Sequence, residues 1–292
     1  MVLELGVLAA FGAMLFWGFG DFLIQRTTRR IGDWEELFAI TAFSTVALLP
    51  FIYKEIPSLF SFQSADLPVL SGAGLTLFLA GIFYFEALKK SKIAVVEPVL
   101  ALEVPITILL AFSILRESLT PVQLGLSGLI LAGIVMVAVK AHHLSKQAWL
   151  ERGVWLAVAG AFFMSIGTFL VGLASRVTDP LVTIWFAHGI IAMLCGAYIF
   201  SDKRRIAKLI SDVGHNPRLV LSSTLLDNGA WVLFAYATSL IPIAISVALS
   251  ESYIALAALL GLLVNKERLL NHQKIGLVVT LAAAITLAVL TA

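Results

Sequence analysis

Charge is scarce in this chain. Asp, Glu, Lys and Arg make up 13% of the 292 residues, whereas soluble domains carry about 25%. A soluble fold of this length cannot hide a 60% hydrophobic composition with a mean hydropathy of +0.99. The class is therefore an integral membrane protein. Cysteine is nearly absent. The lone Cys195 excludes a disulfide within the chain and a zinc site built from thiolates, and reads as a small buried hydrophobe. His142 and His143 are adjacent, so on a helix they do not face each other and make no metal site. No metal and no cofactor is expected. No Walker A pattern occurs, and the loops are too short for a nucleotide-binding domain, which excludes ATP-driven pumping by this chain alone. The N-terminal stretch MVLELGVLAAFGAMLFWGFGDFLIQ lacks the basic region of a secretory signal and is expected to remain as a first span.

What is present is a series of apolar runs. A span needs about 20 mainly apolar residues. Reading between charged or Pro/Gly punctuation predicts ten: 5–24, 37–53, 67–88, 93–115, 121–139, 153–174, 181–200, 219–240, 243–264 and 275–291. Basic residues orient them. The odd-numbered connections hold 17 of the 20 Lys and Arg residues, the even ones hold only Lys54, Arg116 and Arg176, and the tails hold none. Odd connections are therefore expected in the cytoplasm and both termini outside, in a multi-pass protein of the plasma membrane. The basic stretch SDKRRIAKLISDVGHNPR reads as a solvated, topology-setting loop rather than a lipid or nucleic-acid patch. The expected partners are the bilayer and a small-molecule substrate, with no nucleic acid, and the chain is expected to be a monomer or weak homodimer.

The two halves align at a shift of 150 residues. ALKKSKIAVVEPVLALEVPITILLAFSILRESLTPVQ from Ala87 falls on ATSLIPIAISVALSESYIALAALLGLLVNKERLLNHQ from Ala237. GFGDFL at 18–23 resembles SIGTFL at 165–170 more loosely. The expected architecture is all-α: ten transmembrane helices as two inverted five-helix repeats, 1–145 and 146–292. Five spans per half force opposite orientations, and inverted repeats are a transporter signature. The stretch EVPITILLAFSILRESLTPVQLGLSGLILAGIVMV, with Glu117 and its Gly-rich last span, resembles the EamA repeat, and FWGFGDF at 16–22 resembles the opening of the same module. Nearly the whole chain is similar to a ten-span member of the drug/metabolite transporter superfamily. That resemblance implies a central cavity lined mainly by the third, fourth, eighth and ninth spans, with help from the first and sixth.

Ionisable groups inside a membrane are costly and face the interior or a cavity. Glu103, Asp227, Glu251 and His188 fall near the middle of four different spans, while Glu97, Glu86 and Asp21 lie nearer the cytoplasmic ends. No Lys or Arg reaches the middle of any span, which disfavours phosphorylated substrates. Trp17 with Asp21, Trp185 with His188, and Asp227 with Trp231 share helix faces at i,i+3 or i,i+4. Aromatic faces beside carboxylates suit an organic ammonium group, and Tyr236 and Tyr253 are further candidates; plain packing of these aromatics is the bland alternative. Pro98 and Pro105 remove intrahelical donors, freeing the carbonyls of Ala94 and Ala101, and mark the fourth span as a kink or gate. Glu117 and Glu267 read as structural partners of the adjacent Arg116 and Lys266.

These residues predict a secondary transporter, not an enzyme, with no catalytic residues. It is expected to export a small organic cation, amine or amino-acid-like metabolite by alternating access. Competition between proton and substrate for Glu103, Glu251 or Asp227 would couple the two flows. The alternatives are an uncoupled facilitator of neutral metabolites, an intramembrane enzyme, for which no metal-ligand spacing exists, and a scaffold or receptor, against which the duplication argues.

Overall fold

The computed structural model describes residues 2–59, 66–90, 96, 99–138, 152–253, 255–256 and 270–291. Among them lie helices α1 (Val2–Ile31), α2 (Asp33–Ile52), the single turn α3 (Ile56–Leu59), α4 (Leu67–Lys90), α5 (Glu103–Leu115) and α6 (Pro121–Ala138). The second half contributes α7 (Arg152–Val177), α8 (Pro180–Phe200), α9 (Lys203–His215), α10 (Pro217–Leu240), α11 (Ile243–Ser250) and α12 (Asn271–Thr291).

Seven of these, α1, α2, α4, α7, α8, α10 and α12, are long and apolar enough to cross a membrane. The ten expected spans are thus matched by seven full-length helices. The fifth is the shorter α6, and the fourth and ninth are represented by the short helices α5 and α11. In the fourth and ninth the helix is interrupted for a local reason, with helical residues on both sides of each turn. In the fourth, the chain turns at Ala101–Leu102, just before α5. Pro105 has no N–H to give the Ala101 carbonyl, which instead accepts from Val104 N at 3.3 Å. In the ninth, the turn falls at Glu251–Ser252. There the Ser250 and Ser252 hydroxyls donate to Val247 O and Leu249 O at 3.3 and 2.6 Å, competing with the helical ladder. The two turns lie at the same position of the 150-residue repeat.

Boundaries elsewhere follow from capping. Gly32 separates α1 from α2 with a φ of 113°, and a Cβ there would meet the Glu35 carboxylate. The α2 helix therefore starts four residues before the expected span, with Asp33, Glu35 and Glu36 in its first turn, where the helix dipole favours acids. Asp179 caps α8 by accepting from Leu181 N and Val182 N at 2.8 and 3.3 Å, and Pro180 follows at N1. Part of the basic stretch read as a loop is the helix α9, capped by Asp202. It is amphipathic, with Ile206, Leu209, Ile210 and Val213 on one face, and none of its residues is buried.

The packing repeats as the sequence does. The α1 helix packs on α10, and α7 on α4, the repeat-related pairing; both cross between the halves. The pairs α2–α8, α5–α11 and α6–α12 each join a helix to its own repeat mate. Where α6 meets α12 the backbones touch through glycine: a Cβ on Gly276 would lie 2.7 Å from Gly133 O. Equivalent arginines hold equivalent carbonyls: Arg29 donates to Leu88 O at 3.4 Å and Arg176 to Thr238 O at 2.8 Å.

Two rims result. At one, Lys89 pairs with Asp33 at 2.9 Å, Lys208 with Glu35 at 2.6 Å, and Arg30 donates to Asn216 at 3.0 Å. This basic rim gathers the first, third and seventh connections. At the opposite rim Arg176 pairs with Glu117 at 2.7 Å. Glu117 thus reaches across to the other half instead of pairing with its neighbour Arg116, which ends α5 in the left-handed conformation.

Candidate functional site

Between the halves lies a cavity of about 90 Å³. At roughly 10–15 Å³ per water this is room for about six to nine waters or one small organic ion. Four carboxylates line it: Asp21 on α1 and Glu103 at the start of α5 from the first half, and Asp227 on α10 and Glu251 beyond α11 from the second. His188 of α8 and the aromatic residues Trp17, Tyr84, Phe85, Trp231 and Tyr253 complete the polar and π-rich wall. Among the described residues no Lys or Arg lines it.

The helix breaks position two of the acids. Glu103 follows the turn at Ala101–Leu102, and Glu251 is itself in the turn at Glu251–Ser252. Glu103 is 7% exposed and accepts from Thr168 Oγ1 of α7 at 2.5 Å, a bond between the two halves. Asp227 is buried and interacts with the Trp17 indole. Trp17 meets Trp231 edge to face with ring centroids 5.2 Å apart, and Trp231 also lies edge-on to His188 at 6.3 Å. His188 Nδ1 is 3.1 Å from Asn228 Oδ1. Asn228 Nδ2 in turn donates to Ile40 O at 3.0 Å and Thr224 O at 2.9 Å. This network ties α2, α8 and α10 together and orients the imidazole.

The structure thus brings Glu103, Glu251, Asp227, Asp21, His188, Trp17, Trp231 and Tyr253 together at one cavity. It places three other candidates elsewhere. Glu86 is at the basic rim, paired with Lys90 and 3.7 Å from Lys89, because those lysines follow it on the same helix at i+3 and i+4. Trp185 sits three residues before His188, but its Nε1 donates to Thr45 O at 2.9 Å and its ring packs in a smaller cluster with Val182 and Ala174. Tyr236 is 36% exposed on α10 and does not line the cavity. Pro105 is half-buried on α5, two residues after Glu103. Glu97 and Pro98, like His142 and His143, lie outside the described residues. Among the described residues no cluster of His, Cys, Asp and Glu has the arrangement of a metal site.

Sequence reading missed the contribution of the second span, and on the seventh it found His188 but not Ile191. Leu37, Ile40 and Thr41 of α2 and Ile191 of α8 line the cavity as well. It also missed Glu36, a carboxylate with 0% exposure that lies on α2 next to the lining residue Leu37. Glu36 fell just outside the expected span 37–53, although three acids before an apolar run are a start signal of a helix.

Comparison with known proteins bears on what this cavity is for. A model of the EamA-like transporter family matches residues 4–139 and again residues 151–289. The chain belongs to the EamA-like transporter family. It carries two copies of the family module, and it is a multi-pass membrane transporter, not an enzyme. An uncharacterized transporter of Archaeoglobus fulgidus is 24% identical over 158 residues, which is 54% of this chain. The match spans about half the length of that relative, 55%. A solved crystal structure resembles the fold with a TM-score of 0.73 at 17% identity, covering 98% of this chain and 99% of that one. The likeness concerns the fold alone.

Proposed function

We propose that this EamA-like transporter exports a small organic cation, amine or amino-acid-like metabolite by alternating access, with protons moving the other way. The observation that carries the reading is the cavity wall: two acids from each half, tryptophans beside them, and, among the described residues, no basic side chain to balance them. Such a wall attracts positive charge, and an ammonium group gains a further ~0.5–2 kcal/mol against a tryptophan face. The small volume favours a compact substrate over a bulky one.

The exchange-symmetric packing supports two inverted five-span halves, 1–145 and 146–292, in a ten-span protein. Rocking of one half against the other would open the cavity to each side in turn. The distribution of Lys and Arg supports a cytoplasmic basic rim, extracytoplasmic termini and a plasma-membrane location.

The test is a binding screen on purified protein with amines, amino acids and quaternary ammonium compounds, run beside Glu103→Gln, Asp227→Asn and Glu251→Gln. At least one of these variants should lose tenfold or more in affinity, ~1.4 kcal/mol. Wild-type binding and wild-type pH-dependent flux in all three would sink the acidic-site reading. Flux that ignores a pH gradient would mark an uncoupled facilitator instead.

A further inference from the structure

Glu36 is a second buried acid outside the cavity wall. It is 0% exposed in the middle of a packed bundle. Its Oε1 accepts from Ser223 Oγ of α10 at 2.7 Å, and among the described residues its Oε2 makes no hydrogen bond. Ser223 continues to Thr27 Oγ1 of α1 at 3.5 Å. The buried hydroxyls of Thr28 on α1 and Thr224 on α10 are likewise without hydrogen-bond partners. A small polar pocket of Glu36, Ser223 and Thr27 therefore joins α1, α2 and α10, with Glu36 Oε2 unused. A charged carboxylate with a single donor is expensive to keep away from water, and a proton on it removes the charge.

The position along the helices gives this pocket a role. Ile40, which lines the cavity, is one turn further along α2, about 6 Å, and Asp227, which also lines it, is one turn beyond Ser223 on α10. In the other direction, Asp33 is one turn nearer the basic rim, where it meets Lys89. Glu36 thus stands midway between the cavity and the rim. The ionisable groups on the surrounding helices include Asp33 and Glu35 of α2 itself, Asp21, Arg26, Arg29 and Arg30 of α1, Glu86, Lys89 and Lys90 of α4, His188 of α8, Lys208 and Asp212 of α9, and Arg218 and Asp227 of α10. Arg29, Arg30, Glu86, Lys89 and Glu35 belong to the rim.

We propose that Glu36 is a proton-carrying site that relays protons between the Asp227 side of the cavity and the basic rim. The proton leaves the Asp227 carboxyl for the Glu36 carboxylate, and leaves Glu36 in turn for water at the rim. No substrate touches Glu36, so substrate exchange does not require it. This rests on the transport reading above, and the experiment separates the two.

Two measurements decide it, both on the full-length protein. The first uses no substrate: infrared titration with pH, following the C=O stretch of protonated carboxyls. Glu36→Gln should delete one titrating band, and an unchanged set of bands overturns the proposal. Should that variant fail to fold, Ser223→Ala takes its place. Loss of the hydrogen bond should move the midpoint of one band by about 0.7 unit, and unmoved midpoints overturn the proposal. The second uses proteoliposomes and tetramethylammonium, whose fixed charge carries no proton. Glu36→Gln should retain tetramethylammonium counterflow and lose its acceleration by a pH gradient tenfold or more. Retention of both overturns the relay. Absence of counterflow in the wild type counts against the substrate reading, and the infrared titration then decides Glu36 by itself.

Discussion

Glu117 Oε1 lies 2.7 Å from Arg176 Nη2, and the same carboxylate accepts from Ile243 N at 2.9 Å and Ala244 N at 3.1 Å. One side chain from the first half thus caps α11 of the second and holds the arginine that also binds Thr238 O and Ile241 O. This contact joins the two halves at the rim opposite the basic one.

Glu117→Ala should therefore destabilise the protein by about 2–3 kcal/mol. It removes a charged acceptor from two helix N-terminal amides. Arg176 is 28% exposed, so water screens the ion pair itself and the amide bonds dominate. Thermal unfolding in detergent measures the loss. A change within error would mean the cap is dispensable.

The α6–α12 contact predicts a steric defect. A Cβ on Gly276 would lie 2.6 Å from Met136 Cβ and 2.7 Å from Gly133 O, so the backbones must part. Gly276→Val should cost about 1–3 kcal/mol, the usual penalty for overpacking. Gly125→Val is the control, because nothing lies within 4 Å of that position. Equal melting curves for the two variants would contradict the close crossing.

Trp231→Leu should weaken binding of a quaternary ammonium compound by about 1 kcal/mol, roughly fivefold, while binding of a neutral compound of similar size changes little. Titration calorimetry with both compounds separates cation recognition from loss of packing. Equal losses for the two would assign Trp231 to packing alone.

Orientation is open to labelling. Cys195 has 0% exposure and is expected to stay silent in the folded protein. Val177→Cys, at the Arg176 rim, should react with a membrane-impermeant maleimide in intact cells. Arg204→Cys, on α9 of the basic rim, should react only after permeabilisation. The reverse pattern would invert the topology proposed from the Lys and Arg count.

Much of the fold was legible because a membrane imposes simple rules. Spans must be long and apolar, and a midspan acid must turn inward. Glu103, Asp227 and Glu251 were found that way. The repeat aligned Ala101 with Glu251 and Glu103 with Tyr253, but nothing in the alignment showed that both helices turn there. Glu36 escaped because its neighbours Asp33 and Glu35 lie at a rim, and burial of one acid among three depends on which face α2 presents to α10. Glu86 and Trp185 had suitable spacing but the wrong surroundings: lysines one turn away for the first, the Thr45 carbonyl for the second.

The amino-acid sequence by itself determined that the chain is a duplicated, membrane-embedded helical protein, because composition and 150-residue self-similarity need no tertiary information. Only the tertiary structure decided which acids share a cavity and which stand apart from it. Helical spacing tells which residues share a face, and the neighbour met by that face is set by how the two halves pack.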